Sequence, residues 1–267
     1  MTGPIARRTG FLEREGERLY YEVAGQGEPL VLCHGMGGNH AVWFQQVAHF
    51  AASRRVVSFD HRGFGRSTDH AGRSGPEVAA ADLAALLDHL AIERADLVGQ
   101  SMGGWTVLGF ALARPAAVRR LVLADTLGGI EAASLAERVA RALPGRGPSL
   151  APPAELGRHP ALDDAFGARD PAHAHLYQML GGFGEPELAA ILPRLVACRR
   201  KPEELAALRL PVLLVVGERD PLFPPDVVRR AAALLPDARV VEIPGTGHSP
   251  YFEDPGAWNA AVADFLA

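Results

Sequence analysis

A chain of 267 residues, 48% hydrophobic and 22% charged, carries enough apolar material for one large α/β domain or a core with an inserted subdomain. That balance excludes a disordered chain. A formal net charge of −4 and a pI near 6.2 exclude an electrostatic case for nucleic acid or an anionic membrane as partner.

Residues 1–16 carry Arg7, Arg8 and Arg14 but no apolar h-region, so no signal peptide is read and a cytoplasmic protein is expected. No apolar run is long enough to span a membrane. Residues 11–13 and 18–23 alternate about Glu15-Gly16 and predict a hairpin. Residues 30–33 are a continuous apolar strand that ends in His34-Gly35-Met36-Gly37-Gly38. Cys33 closes that strand as a small buried residue; the other cysteine, Cys198, is far away in sequence, and no structural disulfide is expected. A helix is predicted over 42–52 and a strand over 55–60, followed by the loop Asp60 to Ser67. Leu83, Leu86, Leu87 and Leu90 share one face of a helix predicted over 78–90.

The strand at 95–98 runs into Gly99-Gln100-Ser101-Met102-Gly103, and an apolar helix follows over 105–114. A serine on so tight a strand-to-helix turn needs flanking positions nearly free of side chain, hence the two glycines. Another buried strand spans 120–124 and ends at Asp125. From 126 to 208 no strand pattern is present, prolines and glycines crowd 144–153, and short helical pieces predict an inserted helical cap. The core, residues 1–125 and 209–267, resumes with a strand over 211–217, a helix near 226–235, a strand over 238–243 and a last helix over 257–266. Short apolar strands alternating with helices predict an α/β fold with a mostly parallel central sheet covered on both faces.

Loops at the carboxyl ends of such strands converge on one edge, and five of them carry polar residues: His34, Asp60, Ser101, Asp220 and His248. A serine hydroxyl is a poor nucleophile at neutral pH and needs a base, which in turn needs an orienting carboxylate. His248, between Gly247 and Ser249 after the last strand, is the expected base; Asp220, in Gly217-Glu218-Arg219-Asp220-Pro221, is the expected acid. Asp125 is its main competitor and Glu218 a lesser one. The oxyanion requires two fixed donors, for which the backbone N–H groups of Met102 and Met36 stand in the right loops.

Together these pieces resemble the α/β-hydrolase fold superfamily over essentially the whole chain. The order Ser101, Asp220, His248 is the one that superfamily uses. The Ser101-Met102-Gly103-Gly104 elbow is similar to those of enol-lactone hydrolases, small carboxylesterases and hydrolases that cleave C–C bonds. The C–C hydrolases commonly place tryptophan after the histidine, where this chain has Ser249-Pro250. The resemblance implies a serine hydrolase that acts on a small-molecule ester or lactone without a cofactor or metal.

Trp43, Trp105, Leu127, Phe183, Leu222 and Phe223, with Tyr251 and Phe252, are the large apolar residues near loop ends or in the cap. As a group the first six are read as the pocket for an apolar or aromatic substrate. Arg199-Arg200-Lys201 is read as a solvated helix face. His173-Ala174-His175 lacks a carboxylate or cysteine ligand set and is not read as a metal site. The helical cap and core surface permit a homodimer. Rival readings are a cofactor-independent lyase or oxygenase using His248 as base, and a ligand receptor with a slow hydrolytic triad. A dinucleotide enzyme is a third, but His34 and His40 break the Gly-x-Gly-x-x-Gly pattern it requires.

Overall fold

The computed structural model describes residues 3–131, 155–184 and 188–267. In chain order the first half gives β1 (Arg7–Arg14), β2 (Glu17–Ala24), β3 (Glu28–Cys33), α1 (Phe44–Phe50) and β4 (Arg54–Phe59). It continues with α2 (Pro76–His89), β5 (Ala95–Gln100), α3 (Met102–Ala113) and β6 (Val118–Ala124). Then come α4 (Asp164–Arg169), α5 (Pro171–Gly181), α6 (Leu188–Ala197) and α7 (Pro202–Ala207). The chain finishes with β7 (Val212–Gly217), α8 (Pro225–Ala232), β8 (Ala238–Ile243), α9 (Pro250–Glu253) and α10 (Pro255–Leu266).

The eight strands form one sheet in the order β1-β2-β4-β3-β5-β6-β7-β8. The β1/β2 and β2/β4 pairs are antiparallel; the other five pairs are parallel. Alternation along the strands explains why both faces are covered. Val31 and Cys33, Leu121 and Leu123, and Leu214 and Val216 enter one core with the leucines of α2 and the apolar side of α3. Leu30 and Leu32, Val122 and Ala124, and Leu213 and Val215 enter a second core with Phe50, Trp258 and Val262 of α1 and α10. A strand buried on both faces has no polar position to spare, and this is why the strands read as unbroken apolar runs.

Two departures from the predicted elements have local causes. The helix expected over 42–52 opens as a 3-10 turn, His40–Trp43, because Asn39 caps it by accepting the Ala41 N–H at 2.9 Å. The short helix α9 follows Ser249 directly and starts on Pro250, whose missing N–H suits a first helical position.

Between β6 and β7 the described residues contain four helices and no strand, apart from one bridge between Ile130 and Arg200. The proline-rich stretch 144–153 lies outside the described residues. Several contacts join the helices between β6 and β7 to loops that follow the strands. Asn39 Nδ2 donates to Leu180 O at 2.6 Å, Gly65 N–H to Phe183 O at 3.2 Å, and Arg194 to the carbonyls of Gly72 and Ser74. Among the described residues no helix is long and apolar enough to cross a membrane, and both cysteines are free.

Candidate active site

Ser101 stands between β5 and α3 with φ 49 and ψ −117, a left-handed conformation that side chains other than glycine rarely adopt. The surroundings over-determine it. Its N–H donates to Ala124 O at 2.9 Å, and its carbonyl accepts the Gly104 N–H at 2.9 Å and the Thr126 hydroxyl at 2.7 Å. Close approach of backbone does the rest. A Cβ on Gly103 would lie 2.2 Å from Cys33 O, and one on Gly35 would lie 2.1 Å from Gln100 Oε1 and 3.0 Å from Ser101 Cβ. Only glycine lets the loop after β3 and the first turn of α3 meet over the serine.

His248 Nε2 lies 3.0 Å from Ser101 Oγ, and His248 Nδ1 lies 2.8 Å from Asp220 Oδ2. An ionised carboxylate only accepts, so Nδ1 carries the ring proton and Nε2 is free to accept from the serine. Asp220 is anchored in turn: its Oδ1 accepts the N–H groups of Leu222 at 2.8 Å and Phe223 at 3.0 Å. Phe223 also stacks on the imidazole, ring centroids 5.6 Å apart. Gln100 Nε2 donates to the His248 carbonyl at 3.0 Å, and the buried Glu253 accepts the N–H groups on either side of the histidine, Gly247 at 3.0 Å and Ser249 at 3.3 Å. Asp220 and His248 are buried while Ser101 keeps partial exposure, so the serine hydroxyl is the open end of this hydrogen-bonded run.

The Met102 N–H belongs to the first turn of α3, where helix donors have no intrahelical partner. Met36 sits in the turn closed by Gly38 N–H on Gly35 O at 3.1 Å, in the loop that approaches Ser101. A pair of buried histidines braces this loop from behind. His34 Nδ1–H donates to Gly35 O at 2.8 Å, leaving Nε2 to accept from the His61 backbone N–H at 3.1 Å and from His61 Nδ1 at 3.1 Å. His61 Nε2 then accepts from the Thr106 hydroxyl of α3 at 3.0 Å. Burial pushes His34 down to about 4 and His61 well below the ordinary imidazole range, so both are neutral supports.

Residues 30–262 match the alpha/beta hydrolase family. The chain belongs to that family. It is similar to a protein named carbamate hydrolase RutD in Azorhizobium caulinodans, 30% identical over 260 residues that cover 92% of this chain and 94% of the relative. Among solved structures it is similar to a thermophilic esterase from Thermogutta terrifontis, with 27% identity, a TM-score of 0.80, and coverage of 99% and 98% of the two chains. It is also similar to an enol-lactonase from Burkholderia xenovorans LB400, with 25% identity, a TM-score of 0.81, and coverage of 96% and 99%. The two solved structures share the fold of this alpha/beta hydrolase; the names of the three proteins differ in the compound attacked.

The expected pocket residues part company. Phe223 lies on the imidazole, Leu222 is half-buried beside Asp220, and Leu127 is buried in the loop after β6. Trp105 is buried and donates its indole N–H to Cys198 O at 3.3 Å, fastening α3 to the residue just after α6. Trp43 requires correction. With no exposed surface it packs on Tyr251 at 4.6 Å and Trp258 at 6.0 Å between centroids, where it fills the core joining α9 and α10. Phe183 is 58% exposed, and its carbonyl accepts the Gly65 N–H.

Other expected groups find other partners. Arg199 pairs with Glu131 in solvent, but Arg200 is no solvated side chain: it donates to Trp105 O at 3.2 Å and Gly128 O at 3.4 Å. His173 faces Asp170 at 3.0 Å and His175 faces Gln178 at 3.3 Å, each on its own. Asp60 accepts from the backbone N–H groups of His40 and Arg66, and Glu218 from Gly245, which ties loops rather than the reacting atoms. Sequence reasoning missed Glu253 and Tyr177. Tyr177 reaches from α5 to the Ser249 hydroxyl at 2.9 Å, and Glu253 also accepts the Asp163 N–H at 3.0 Å. Only the spacing of Glu253 from His248 signalled a link to the histidine loop, and nothing in the sequence signalled its contact with the distant Asp163.

Proposed function

We propose that this alpha/beta hydrolase is a serine hydrolase that cleaves an ester or lactone of a small apolar carbonyl compound through an acyl-enzyme on Ser101. The observation that carries the reading is the unbroken hydrogen-bonded run from Ser101 Oγ to Asp220, with steps of 3.0 and 2.8 Å, on a serine held in a strained turn. Ser101 Oγ attacks the carbonyl carbon as His248 Nε2 takes its proton. Asp220 holds the resulting imidazolium by its Nδ1–H. The N–H groups of Met102 and Met36 receive the oxyanion, each worth a few kcal/mol of barrier, on the order of 3 kcal/mol. Collapse of the tetrahedral species expels the alcohol or enol, which takes the proton from Nε2. Water, deprotonated by the same nitrogen, then attacks the acyl-enzyme and releases the acid.

In this reading the described helices between β6 and β7 belong to the cap, and the partly buried Met36 and Leu222 stand in the loops that carry an oxyanion donor and Asp220. The names of the similar esterase and enol-lactonase favour a carboxylic ester or lactone over other carbonyl chemistry. A panel of short p-nitrophenyl esters, lactones and vinylogous diketones tests the reading, with Ser101→Ala as control. The wild type is expected to turn over esters or lactones and the variant to lose about 10³-fold or more in kcat. Full activity in the variant would end the proposal.

A further inference from the structure

Asp125 is a buried polar residue at this rim that the proposed reaction leaves without a part. It follows β6, the strand between β5, which leads to Ser101, and β7, which leads to Asp220. Its backbone is fixed at φ 49, with its N–H on Val215 O at 2.8 Å. The side chain is fully buried. Oδ1 accepts the Gly217 N–H at 2.9 Å, whereas Oδ2 is sealed from solvent and has no hydrogen-bond partner among the described residues. A carboxyl oxygen of Asp125 lies within 4.8 Å of one on Asp220 and of a ring nitrogen of His248.

As an anion, this side chain would leave Oδ2 a buried acceptor with no donor, beside a second carboxylate. A proton on Oδ2 removes both penalties. It turns the orphan acceptor into a donor and leaves one negative charge in the pair. We propose that Asp125 is a neutral carboxylic acid that donates its proton in a hydrogen bond to the Asp220 carboxylate, acting as a positioning residue for the acid that orients His248. This inference rests on the reading of Asp220 and His248 given above.

The charged and titratable groups around it agree. Asp220 approaches from the loop after β7, His248 from the loop after β8, Glu253 and Tyr251 from α9, and Tyr177 from α5. Burial first, then the Asp220 charge, hold the Asp125 carboxyl well above the ordinary range; Glu253 pushes the same way, and the Gly217 N–H opposes. Both tyrosines are raised above their ordinary value by burial and stay neutral, so they add no further negative charge beside the two carboxyl groups.

Asparagine is the isostere of the neutral acid: its oxygen accepts from Gly217 and its amide donates to Asp220. Asp125→Ala is expected to lower kcat on an activated ester about tenfold, the worth of one charge-assisted hydrogen bond. Its acid limb of kcat/KM should move to higher pH, because Asp220 without its donor grips the imidazolium more strongly. Asp125→Asn should restore most of the lost rate with the acid limb within about 0.3 pH of the wild type. A fall of that limb by about one pH or more in Asp125→Asn reports the loss of an anion and overturns the proposal. Infrared difference spectra of the free proteins test it without turnover. Wild type minus Asp125→Asn should show a protonated-carboxyl C=O band, and its absence overturns the proposal whether or not esters are the substrates.

Discussion

On the β3 side of Ser101, His34 and His61 form a buried polar cluster in which all four ring nitrogens have partners and neither ring is charged. On the β7–β8 side, Asp220 and His248 form another, joined to a half-open serine and backed by the buried carboxyl of Asp125. Both clusters sit at carboxyl ends of parallel strands and both are buried. The first is closed: every donor meets an acceptor within it, so it has nothing left to give a substrate and serves to hold the Met36 loop. The second ends at Ser101 in a hydroxyl that keeps partial exposure. A buried polar cluster at a strand end is therefore a brace when satisfied throughout and a candidate for chemistry when its last member faces the cleft.

The sharpest way to break this contrast is to damage each cluster and see which property fails. Asp220→Asn should keep the shape of the loop but lose the acceptor that fixes the His248 tautomer. The expected loss in kcat is about 10³- to 10⁴-fold, with little change in thermal stability. A loss of stability with near-normal kcat would move Asp220 to the bracing class.

On the other side the expected failure is in stability, and pH reveals it. An unfolded histidine takes a proton near pH 6.5, whereas buried His34 takes one only at about 4. The unfolded state therefore binds more protons between those values. Stability should be full above about pH 6.5 and fall as pH drops toward 4, with His34 alone contributing about 3 kcal/mol to the loss. Urea unfolding at a series of pH values reads this directly, and His34→Asn should flatten the slope even though it lowers stability at neutral pH. A slope unchanged by that substitution would contradict the neutral, buried state assigned to the ring.

What the sequence disclosed follows the same division. Ser101, Asp220 and His248 each follow a strand of the parallel sheet, and parallel strands deliver such loops to a single edge, so their meeting was legible from loop position together with the chain order of the resembling superfamily. The sheet was legible too: strands with apolar residues at consecutive positions have two covered faces. Trp43 was misread because a large aromatic near a loop end looks the same whether it faces a cleft or Trp258; only the docking of α10 against the 3-10 turn decides. Arg200 was misread because its acceptors, Trp105 O and Gly128 O, are backbone carbonyls that composition does not display. The partners of Asp125, Glu253 and Tyr177 were hidden likewise, since each depends on distant segments meeting at the rim.

The most direct measurement is rapid-quench mass spectrometry of the protein mixed with excess p-nitrophenyl acetate at neutral pH. A burst of nitrophenol should accompany one acetyl group on the peptide containing Ser101, absent in Ser101→Ala and strongly slowed in His248→Ala. Steady turnover of the ester with Ser101 unmodified, or equal acetylation in the His248 variant, would contradict a serine activated by the imidazole 3.0 Å away.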